Sequence, residues 1–257
     1  MEFIEYQVSE RVANIRLNRP DKRNAFNVGL VTELKQALED AEKDENVKVI
    51  LLSANGEVFS AGADLGYLQQ MQSYSREQNT ADSLAMAELL KYIYQHPKII
   101  VSMVEGNALA GGCGLATICD FCFAVPEAMF GYTEVKIGFI PAIVMVFLLR
   151  KIGEGRAKEL LLSGKLMNAT EACETGLVNK VLEKDKIKDY VSNFIRQLCV
   201  ECSGDALSLT KKMIAEVQNL NLEKGLVYAA EMNAEARETE DCKKGINSFL
   251  KREKLIW

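Results

Sequence analysis

Two glycine-bearing loops are the first segments of the sequence whose residue types could do chemistry. One is ALAGGCGLATICD (residues 108–120), with glycines at 111, 112 and 114, and the other is SAGADL (residues 60–65). Glycine lets a ligand atom approach backbone N–H groups, and at a helix N-terminus these groups and the helix dipole favour negative charge. The GGCG spacing fits neither the GxGxxG pattern of a dinucleotide fold nor the GK[ST] ending of a phosphate loop. An anion site and simple close packing of backbone segments remain as the alternatives.

Two such turns side by side predict a more specific site. If each turn aims one N–H group at the same oxygen, the pair forms an oxyanion hole, and each donor contributes on the order of 3 kcal/mol to an enolate-like transition state. An enolate also needs a group that adds or removes a proton at carbon. Glu134, in the loop FGYTEVKIG, is one candidate carboxylate, and burial beside Phe130, Tyr132 and Ile137 is expected to raise its pKa. An exposed loop glutamate without a role is the alternative.

The other reactive residue types predict structural roles. His96 is the only histidine, and it lies directly before a proline at a predicted junction between a helix and a strand. The seven cysteines are scattered along the chain, which predicts reduced thiols rather than a disulfide framework. Two pairs have CxxC spacing, but they fall in apolar or amphipathic stretches typical of core thiols: Cys119/Cys122 and Cys199/Cys202. We predict no metal site.

The composition narrows the class of protein. The chain has 257 residues, of which 48% are hydrophobic, and this suffices for a sizeable core. A net charge of -5, with 36 acidic against 31 basic residues, argues against a nucleic-acid binder, because phosphate neutralisation needs a clustered basic surface. No apolar run reaches the roughly 18 residues of a membrane helix, and the acidic start, MEFIE, is unlike a signal peptide. These features predict a cytoplasmic protein that binds neither nucleic acid nor membrane.

Buried strands precede the glycine loops and position them. VKVILLSA (47–54) and KIIVSMVEG (98–106) are nearly continuous apolar runs of strand length, and FCFAV (121–125) is a third strand. The repetition of strand, glycine-rich loop and helix predicts an α/β fold with a parallel sheet, in which ligand chemistry lies at the carboxyl ends of the strands.

The helices are predicted from apolar periodicity. GLVTELKQALEDAEKD presents one apolar face, formed by Leu30, Leu34, Ala37, Leu38 and Ala41. Further helices are predicted over about 73–95 and from about Pro141, and residues 201–257 are predicted to be helices that pack on the core or on a second subunit.

The chain resembles the enoyl-CoA hydratase/isomerase (crotonase) superfamily in five long motifs that follow the family's order: FSAGADL, PKIIVSMVEGNALAGGCGLATICDF, FGYTEVKIGFIPA, GEGRAKELLLSG and ATEACETGLVNKV. The resemblance extends from NRPDKRNAFN near the start to FLKREK near the end. It implies a spiral core of ββα units over residues 1–200, a helical trimerisation region over residues 201–257, and a homotrimer or homohexamer. It also implies a CoA thioester as the substrate, with no separate cofactor.

The resemblance assigns roles to residues by motif. The thioester oxygen is expected to lie between the N–H groups of Ala63 and Gly111, with Glu134 as the catalytic carboxylate. The segment from Ala61 to Gly66 is expected to hold the adenine end of CoA by backbone contacts, and it includes Asp64 and Leu65. The loop around Arg23 and Ala25 would line the other side of CoA, where a basic side chain suits its phosphates. The lysines of FLKREK are expected to reach a phosphate of CoA in the same or a neighbouring subunit.

Gly114 departs from the pattern of the family's hydratases, which have a second glutamate at this position. A lone Glu134 suits a Δ3,Δ2-enoyl-CoA isomerase, because a 1,3-proton shift needs one group that removes a proton and returns it. TEVKIGFIPAIV (133–144), however, resembles methylglutaconyl-CoA hydratases and related enzymes of carboxylated substrates, for which Gly114 would leave room. We therefore rank hydration of a 2-enoyl-CoA, branched or carboxylated as in 3-methylglutaconyl-CoA, ahead of isomerisation.

Two hypotheses from other classes stay open at this point. One is a non-catalytic acyl-CoA-binding protein that has lost the acid pair, against which the presence of Glu134 argues. The other is RNA binding through the early helix, as in a family member that combines it with hydratase activity. The helix VTELKQALEDAEKD dilutes its lysines with five acidic residues, so that we expect poor phosphate binding there.

Overall fold

The computed structural model describes residues 1–257 and contains ten strands and ten α-helices. The strands are β1 (Ile4–Ser9), β2 (Val12–Leu17), β3 (Val49–Ala54), β4 (Val58–Ser60), β5 (Ile99–Val104), β6 (Asn107–Leu109), β7 (Phe121–Ala124), β8 (Met129–Gly131), β9 (Met167–Asn168) and β10 (Lys180–Val181). The helices are α1 (Val28–Lys43), α2 (Leu65–Met71), α3 (Arg76–Gln95), α4 (Gly111–Ile118), α5 (Ala142–Ser163), α6 (Ala169–Glu174), α7 (Ile187–Glu201), α8 (Gly204–Val217), α9 (Leu222–Glu238) and α10 (Glu240–Lys251).

The strands form two sheets between which the chain alternates. The larger sheet has the order β1-β2-β3-β5-β7-β10, and the smaller one has the order β4-β6-β8-β9. All neighbours are parallel except the first pair of the larger sheet and the last pair of the smaller one. Each strand pair β3-β4, β5-β6 and β7-β8 places one strand in each sheet and is followed by a helix. This arrangement confirms the predicted α/β fold of repeated ββα units.

The three long parallel strands at the centre of the larger sheet are covered on both faces, as their apolar sequences predict. Every residue of β5 is buried, and so are four of the six residues of β3. The periodicity missed β4, β6 and β8, because strands of three residues are too short to show a pattern. The glycine loops therefore follow the short strands of the smaller sheet.

The predicted helices occur, with differences at their ends. The five residues predicted for the apolar face of α1 are the five that it buries, and the side chain of Asn27 caps its first turn. The region predicted as one helix over 73–95 contains the end of the loop after α2 and then α3, which Ser75 starts with a capping box. Helix α5 begins after Pro141 and changes direction at Gly153, whose φ of 75° interrupts the helical backbone.

Residues 204–251 form the three helices α8, α9 and α10. Lys211 attaches α8 to the core through an ion pair with Asp120, in which Nζ lies 2.7 Å from Oδ2. Large apolar side chains on the outer faces of α9 and α10 remain exposed: Leu222, Leu226, Val227, Phe249 and Leu250. Packing of these faces on another subunit stays a prediction. No helix of the chain has the length and apolar content that crossing a membrane requires.

The cysteines and the histidine lie where a structural role is expected. All seven cysteines are free, and Cys119, Cys122 and Cys199 are buried. No three His, Cys, Asp or Glu side chains gather in a way that could hold a metal ion. His96 is fully buried at the end of α3, where Nδ1 accepts the N–H of Lys98 at 3.0 Å and Nε2 lies 3.2 Å from the carbonyl oxygen of Leu38.

The buried histidine makes stability depend on pH. Burial lowers the pKa of His96 from 6.5 to about 4, so the unfolded chain binds a proton between these values that the folded protein does not bind. We expect this group to reduce the free energy of unfolding by about 3 kcal/mol as the pH falls from 6.5 to 4. Denaturant titrations of the wild type and His96→Gln at several pH values measure this contribution as a difference. A difference that stays constant between pH 7 and pH 4 would contradict it.

Candidate active site

Three neighbouring strands of the smaller sheet deliver the predicted catalytic groups. Strands β4, β6 and β8 are parallel and adjacent, so their carboxyl ends meet at one edge. Ala63, Gly111 and Glu134 follow the ends of these strands at residues 60, 109 and 131. The structure therefore brings the three residues to the same edge of the sheet.

Backbone hydrogen bonds set the direction of the Ala63 N–H group. Phe26 donates its N–H to the carbonyl of Gly62 at 2.7 Å and accepts the N–H of Asp64 at 2.9 Å, which makes a parallel bridge with Ala63 between the two bonds. In such a bridge the N–H of the intervening residue points away from the partner segment. The N–H of Ala63 therefore points away from Phe26 and makes no hydrogen bond within the protein.

Gly62 allows the two glycine loops to touch. It has a φ of 86°, and a Cβ built on it would lie 2.9 Å from the Cβ of Ala110 and 3.3 Å from the N atom of Gly111. On the other side, the N–H of Ala110 donates to the carbonyl of Gly131 at 2.7 Å. Four segments therefore lie side by side, around residues 26, 62, 110 and 131. Hydrogen bonds join the first two and the last two, and the packing of Gly62 on Ala110 joins the middle two.

Gly111 is the first residue of α4, and its N–H has no partner within the helix and makes no other hydrogen bond. Gly112 packs against strand β4, where a Cβ would lie 2.5 Å from the carbonyl oxygen of Ser60. This close packing holds the start of α4 against the loop that carries Ala63. Two free N–H groups on touching loops, one of them at a helix N-terminus, can bind a single anionic oxygen.

The turn before α4 contains a strained residue that the sequence analysis did not identify. Ala110 has a φ of 50° and a ψ of −126°, a backbone conformation that residues with a Cβ rarely adopt. A conformation of this kind costs about 1–3 kcal/mol and persists only when its surroundings impose it. The bond to Gly131 and the packing of Gly112 impose it here. This backbone conformation sets the direction of the N–H group of Gly111.

Glu134 begins a short 3-10 turn and is partly buried. Its Oε2 atom is buried without any hydrogen-bond partner. Burial raises the pKa of this carboxyl, although a hydrogen bond with its own backbone opposes the shift, and no cation contributes. Phe130 and Tyr132 are buried as predicted, but Ile137 leaves 72% of its surface exposed. The prediction that Ile137 buries Glu134 is wrong, because its side chain faces solvent.

A buried cluster of three side chains joins the strand that precedes Glu134 to α4. Thr117 donates its hydroxyl proton to the carbonyl of Cys113 at 2.8 Å, so the hydroxyl of Tyr132, at 3.1 Å, donates to Thr117. Burial raises the pKa of the Cys113 thiol to about 12 and the pKa of Tyr132 well above 10. Neither group exchanges protons near neutral pH. Among these groups, Glu134 is therefore the candidate for proton transfer.

Gly114 lies in α4, and a side chain from another helix fills the space beside it. A Cβ on Gly114 would lie 2.2 Å from Cγ1 of Val144, a residue of α5 that is 7% exposed. From the sequence, Gly114 is expected to leave room for a carboxylate of the substrate. The structure corrects this expectation, because the apolar side chain of Val144 occupies that room.

The predicted adenine loop, from Ala61 to Gly66, is held by the Asp64 side chain and by hydrogen bonds to residues 19–26. Asp64 caps α2 by accepting the N–H groups of Gly66 and Tyr67, and its other oxygen lies 2.6 Å from Nη1 of Arg19. Burial alone would raise the pKa of Asp64, but the Arg19 guanidinium and the two N–H donors lower it. Leu65 is 83% exposed beside this pair. The Asp64 side chain thus fixes the loop and leaves ligand contacts to its neighbours.

The predicted phosphate loop places Arg23 on the surface and Ala25 in the interior. The carbonyl of Arg23 accepts the N–H of Ala61 at 3.0 Å, and the carbonyl of Ala25 accepts Nη1 of Arg19 at 3.0 Å. Arg19 and Asn24 were not predicted from the sequence. Asn24 is fully buried, and its Nδ2 donates to the carbonyl groups of residues 55 and 58. Asn24 has a φ of 50°, and asparagine's tolerance of this region is the signal that could have identified it.

Comparisons with known proteins identify the family of the chain. The family model described as enoyl-CoA hydratase/isomerase matches residues 7–257. A Thermus thermophilus protein provisionally named an enoyl-CoA hydratase is 40% identical over 94% of this chain and 95% of its own. The 2,3-dehydroadipyl-CoA hydratase of Escherichia coli is 32% identical over 95% of this chain and 93% of its own. The crystal structure of an enoyl-CoA hydratase from Shewanella pealeana superposes with a TM-score of 0.93 at 29% identity, covering 99% of this chain and 96% of that one.

The strain at Ala110 predicts a stabilising substitution. Ala110→Gly removes the Cβ that makes this conformation unfavourable, and we expect the free energy of unfolding to rise by about 1 kcal/mol. Ala116→Gly is the matched control. Residue 116 lies within α4, so the same substitution there should lower the free energy of unfolding by about 1 kcal/mol. Denaturant titration measures both changes. Equal destabilisation by the two substitutions would show that residue 110 carries no strain.

Proposed function

The chain belongs to the enoyl-CoA hydratase/isomerase family, and we propose that it hydrates the double bond of a 2-enoyl-CoA thioester. The observation that carries the proposal is the combination of two unpaired N–H groups, those of Ala63 and Gly111, with one buried carboxylate at the same sheet edge. The thioester oxygen accepts both N–H groups. Negative charge that develops on this oxygen is stabilised by preorganised donors rather than by mobile water.

Glu134 transfers the proton in this mechanism. Its ionised carboxylate removes one proton from a water molecule while the hydroxide oxygen bonds to Cβ of the substrate and the double-bond electrons move into an enolate. The protonated Glu134 then delivers its proton to Cα, the enolate collapses to the thioester, and the net change is the addition of one water. A raised pKa suits the first step, since it makes the ionised carboxylate a stronger base toward the water molecule.

The loops beside the oxyanion site would hold the CoA part of the substrate. We assign the adenine end to the segment from Ala61 to Gly66, where the exposed Leu65 side chain offers an apolar surface. The exposed guanidinium of Arg23 lies on the loop that is hydrogen-bonded to this segment, which suits contact with the phosphates. The lysines near the C-terminus are assigned to the same phosphates, and family membership also leads us to propose a homotrimer or homohexamer in the cytoplasm.

The acyl group is the finer part of the proposal. The relative from Escherichia coli acts, by its name, on 2,3-dehydroadipyl-CoA, whose acyl chain ends in a carboxylate. This supports a carboxylated substrate such as 3-methylglutaconyl-CoA. Val144 supports the opposite choice, because an apolar side chain fills the space beside Gly114 and no cation acts on Glu134. We therefore favour a branched or linear apolar acyl group.

Double-bond isomerisation is the second candidate, favoured by the absence of a second carboxylate beside Gly114. In this reaction Glu134 removes a proton from C2 of a 3-enoyl-CoA and returns it to C4, while the same two N–H groups hold the enolate oxygen. The charges and the donors are the same as in hydration. The two reactions differ in which atoms lie near Glu134: a water molecule beside Cβ and the atom Cα for hydration, and C2 and C4 for isomerisation.

Turnover assays separate these candidates. We expect the full chain to hydrate crotonyl-CoA and longer 2-enoyl-CoA substrates, with 3-methylglutaconyl-CoA as a carboxylated comparison and a 3-enoyl-CoA as the isomerase substrate. Glu134→Gln should lower kcat at least about 10³-fold in whichever reaction occurs, because it keeps the shape of the side chain but cannot accept a proton. Turnover of the 3-enoyl-CoA alone would replace hydration by isomerisation. Acyl-CoA binding without any turnover would support a non-catalytic protein.

The role of the Ala63 N–H group can be tested by removing it. Ala63→Pro deletes the donor and spares the hydrogen bonds of Gly62 and Asp64 with Phe26, whereas Ala63→Ser keeps the donor. We expect Ala63→Pro to lower kcat about 10²- to 10³-fold and Ala63→Ser to remain near the wild type. Steady-state kinetics, with thermal melting as the check on folding, measure the difference. A folded, fully active Ala63→Pro variant would exclude this donor.

A further inference from the structure

A large apolar cavity lies beside α4. Its volume is about 750 Å³, and helices α3, α4, α5 and α8 form its walls. Apolar side chains dominate the lining, among them Leu90, Ile118, Leu148 and Leu207. A volume of this size lies in the range of pockets that bury most of a small-molecule ligand. Neither Ala63 nor Glu134 lines it.

The cavity nevertheless begins close to the site. Gly114 and Val144 both belong to its lining, and Gly114 lies three residues after Gly111, which corresponds to about 4.5 Å along a helix. An acyl chain whose carbonyl oxygen binds the Gly111 N–H reaches this position within a few carbon atoms. Val144 lies there, in contact with the surface of Gly114. It therefore separates the catalytic edge from the cavity.

The charged side chains around the cavity make hydrogen bonds within the protein. Lys211 forms an ion pair with Asp120 and also binds the carbonyl groups of residues 93 and 98. Lys151 donates to the carbonyl of Thr117, and Arg150 donates to the carbonyl of residue 146 and to the side chain of residue 219, so these two cations bind neutral acceptors. The cavity suits an apolar chain because most of its lining is apolar.

We propose that Val144 determines the acyl-chain length of the substrate, and that the cavity behind it holds the apolar tail of a chain of about ten carbons. The inference rests on the proposed function, because it uses the thioester position defined by Ala63 and Gly111. The valine forms the constriction through which the tail passes. A smaller residue at this position opens the way to the cavity, and a larger residue in the cavity shortens the chain that fits.

Binding provides a test that does not require turnover. Calorimetry with the full chain compares butyryl-CoA with decanoyl-CoA. Burial of one methylene group favours binding about fourfold, so we expect decanoyl-CoA to bind at least about 100-fold more tightly. Equal affinities would overturn the proposal, even if the protein proves to be an active hydratase. A strong preference for decanoyl-CoA without turnover would support the cavity and defeat the proposed function.

Kinetics of three variants test the residue itself, through the ratio of kcat/KM for trans-2-decenoyl-CoA to that for crotonyl-CoA. Val144→Ala should raise this ratio about tenfold. Ala206→Phe, on the α8 wall of the cavity, should lower it about tenfold. Leu162→Phe is the matched control, because this α5 residue is 74% exposed and does not line the cavity. A ratio that stays within twofold of the wild type in Val144→Ala and Ala206→Phe would overturn the role of Val144.

Discussion

The site depends on two backbone N–H groups that the fold leaves without a partner. Nearly every N–H group in a packed protein is hydrogen-bonded, and three N–H groups close to Ala63 and Gly111 follow this rule. Phe26, Asp64 and Ala110 all donate to backbone carbonyls within 2.9 Å. These bonds fix the loops in a position where the N–H groups of Ala63 and Gly111 are left to bind a ligand. The order β4-β6-β8 is what makes the loops neighbours.

The electrostatics of the mechanism follow from a charge that changes place. In the proposed hydration the negative charge starts on the Glu134 carboxylate, which has a buried oxygen without a donor and no cation that lowers its pKa. When this carboxylate takes a proton from water, the negative charge moves to the thioester oxygen, which accepts hydrogen bonds from the N–H groups of Ala63 and Gly111. The protein thus stabilises the charge poorly at its starting position and well at its position in the intermediate. This difference, rather than the absolute strength of either interaction, lowers the barrier.

The sequence predicts the parts of the site that are carried by motif and periodicity. The glycine loops, Glu134 and the buried face of α1 could all be found, because glycine clusters and apolar repeats are local signals. Val144 could not be found, since it reaches Gly114 from a helix that starts 28 residues later in the chain, and only packing brings them together. The strained conformation of Ala110 could not be predicted from the sequence for a different reason. Alanine gives no local sign of positive φ, and its conformation is imposed by Gly131 and Gly112.

The free N–H groups also have an evolutionary consequence. A donor on the backbone is kept by almost any side chain, so the apparatus that holds the enolate oxygen persists while residues around it diverge. Hydration and double-bond isomerisation both need this apparatus, and they differ in which atoms of the acyl chain lie near the carboxylate. A side chain that steers the acyl chain, such as Val144, can therefore alter the product while every group that touches the oxygen is inherited unchanged.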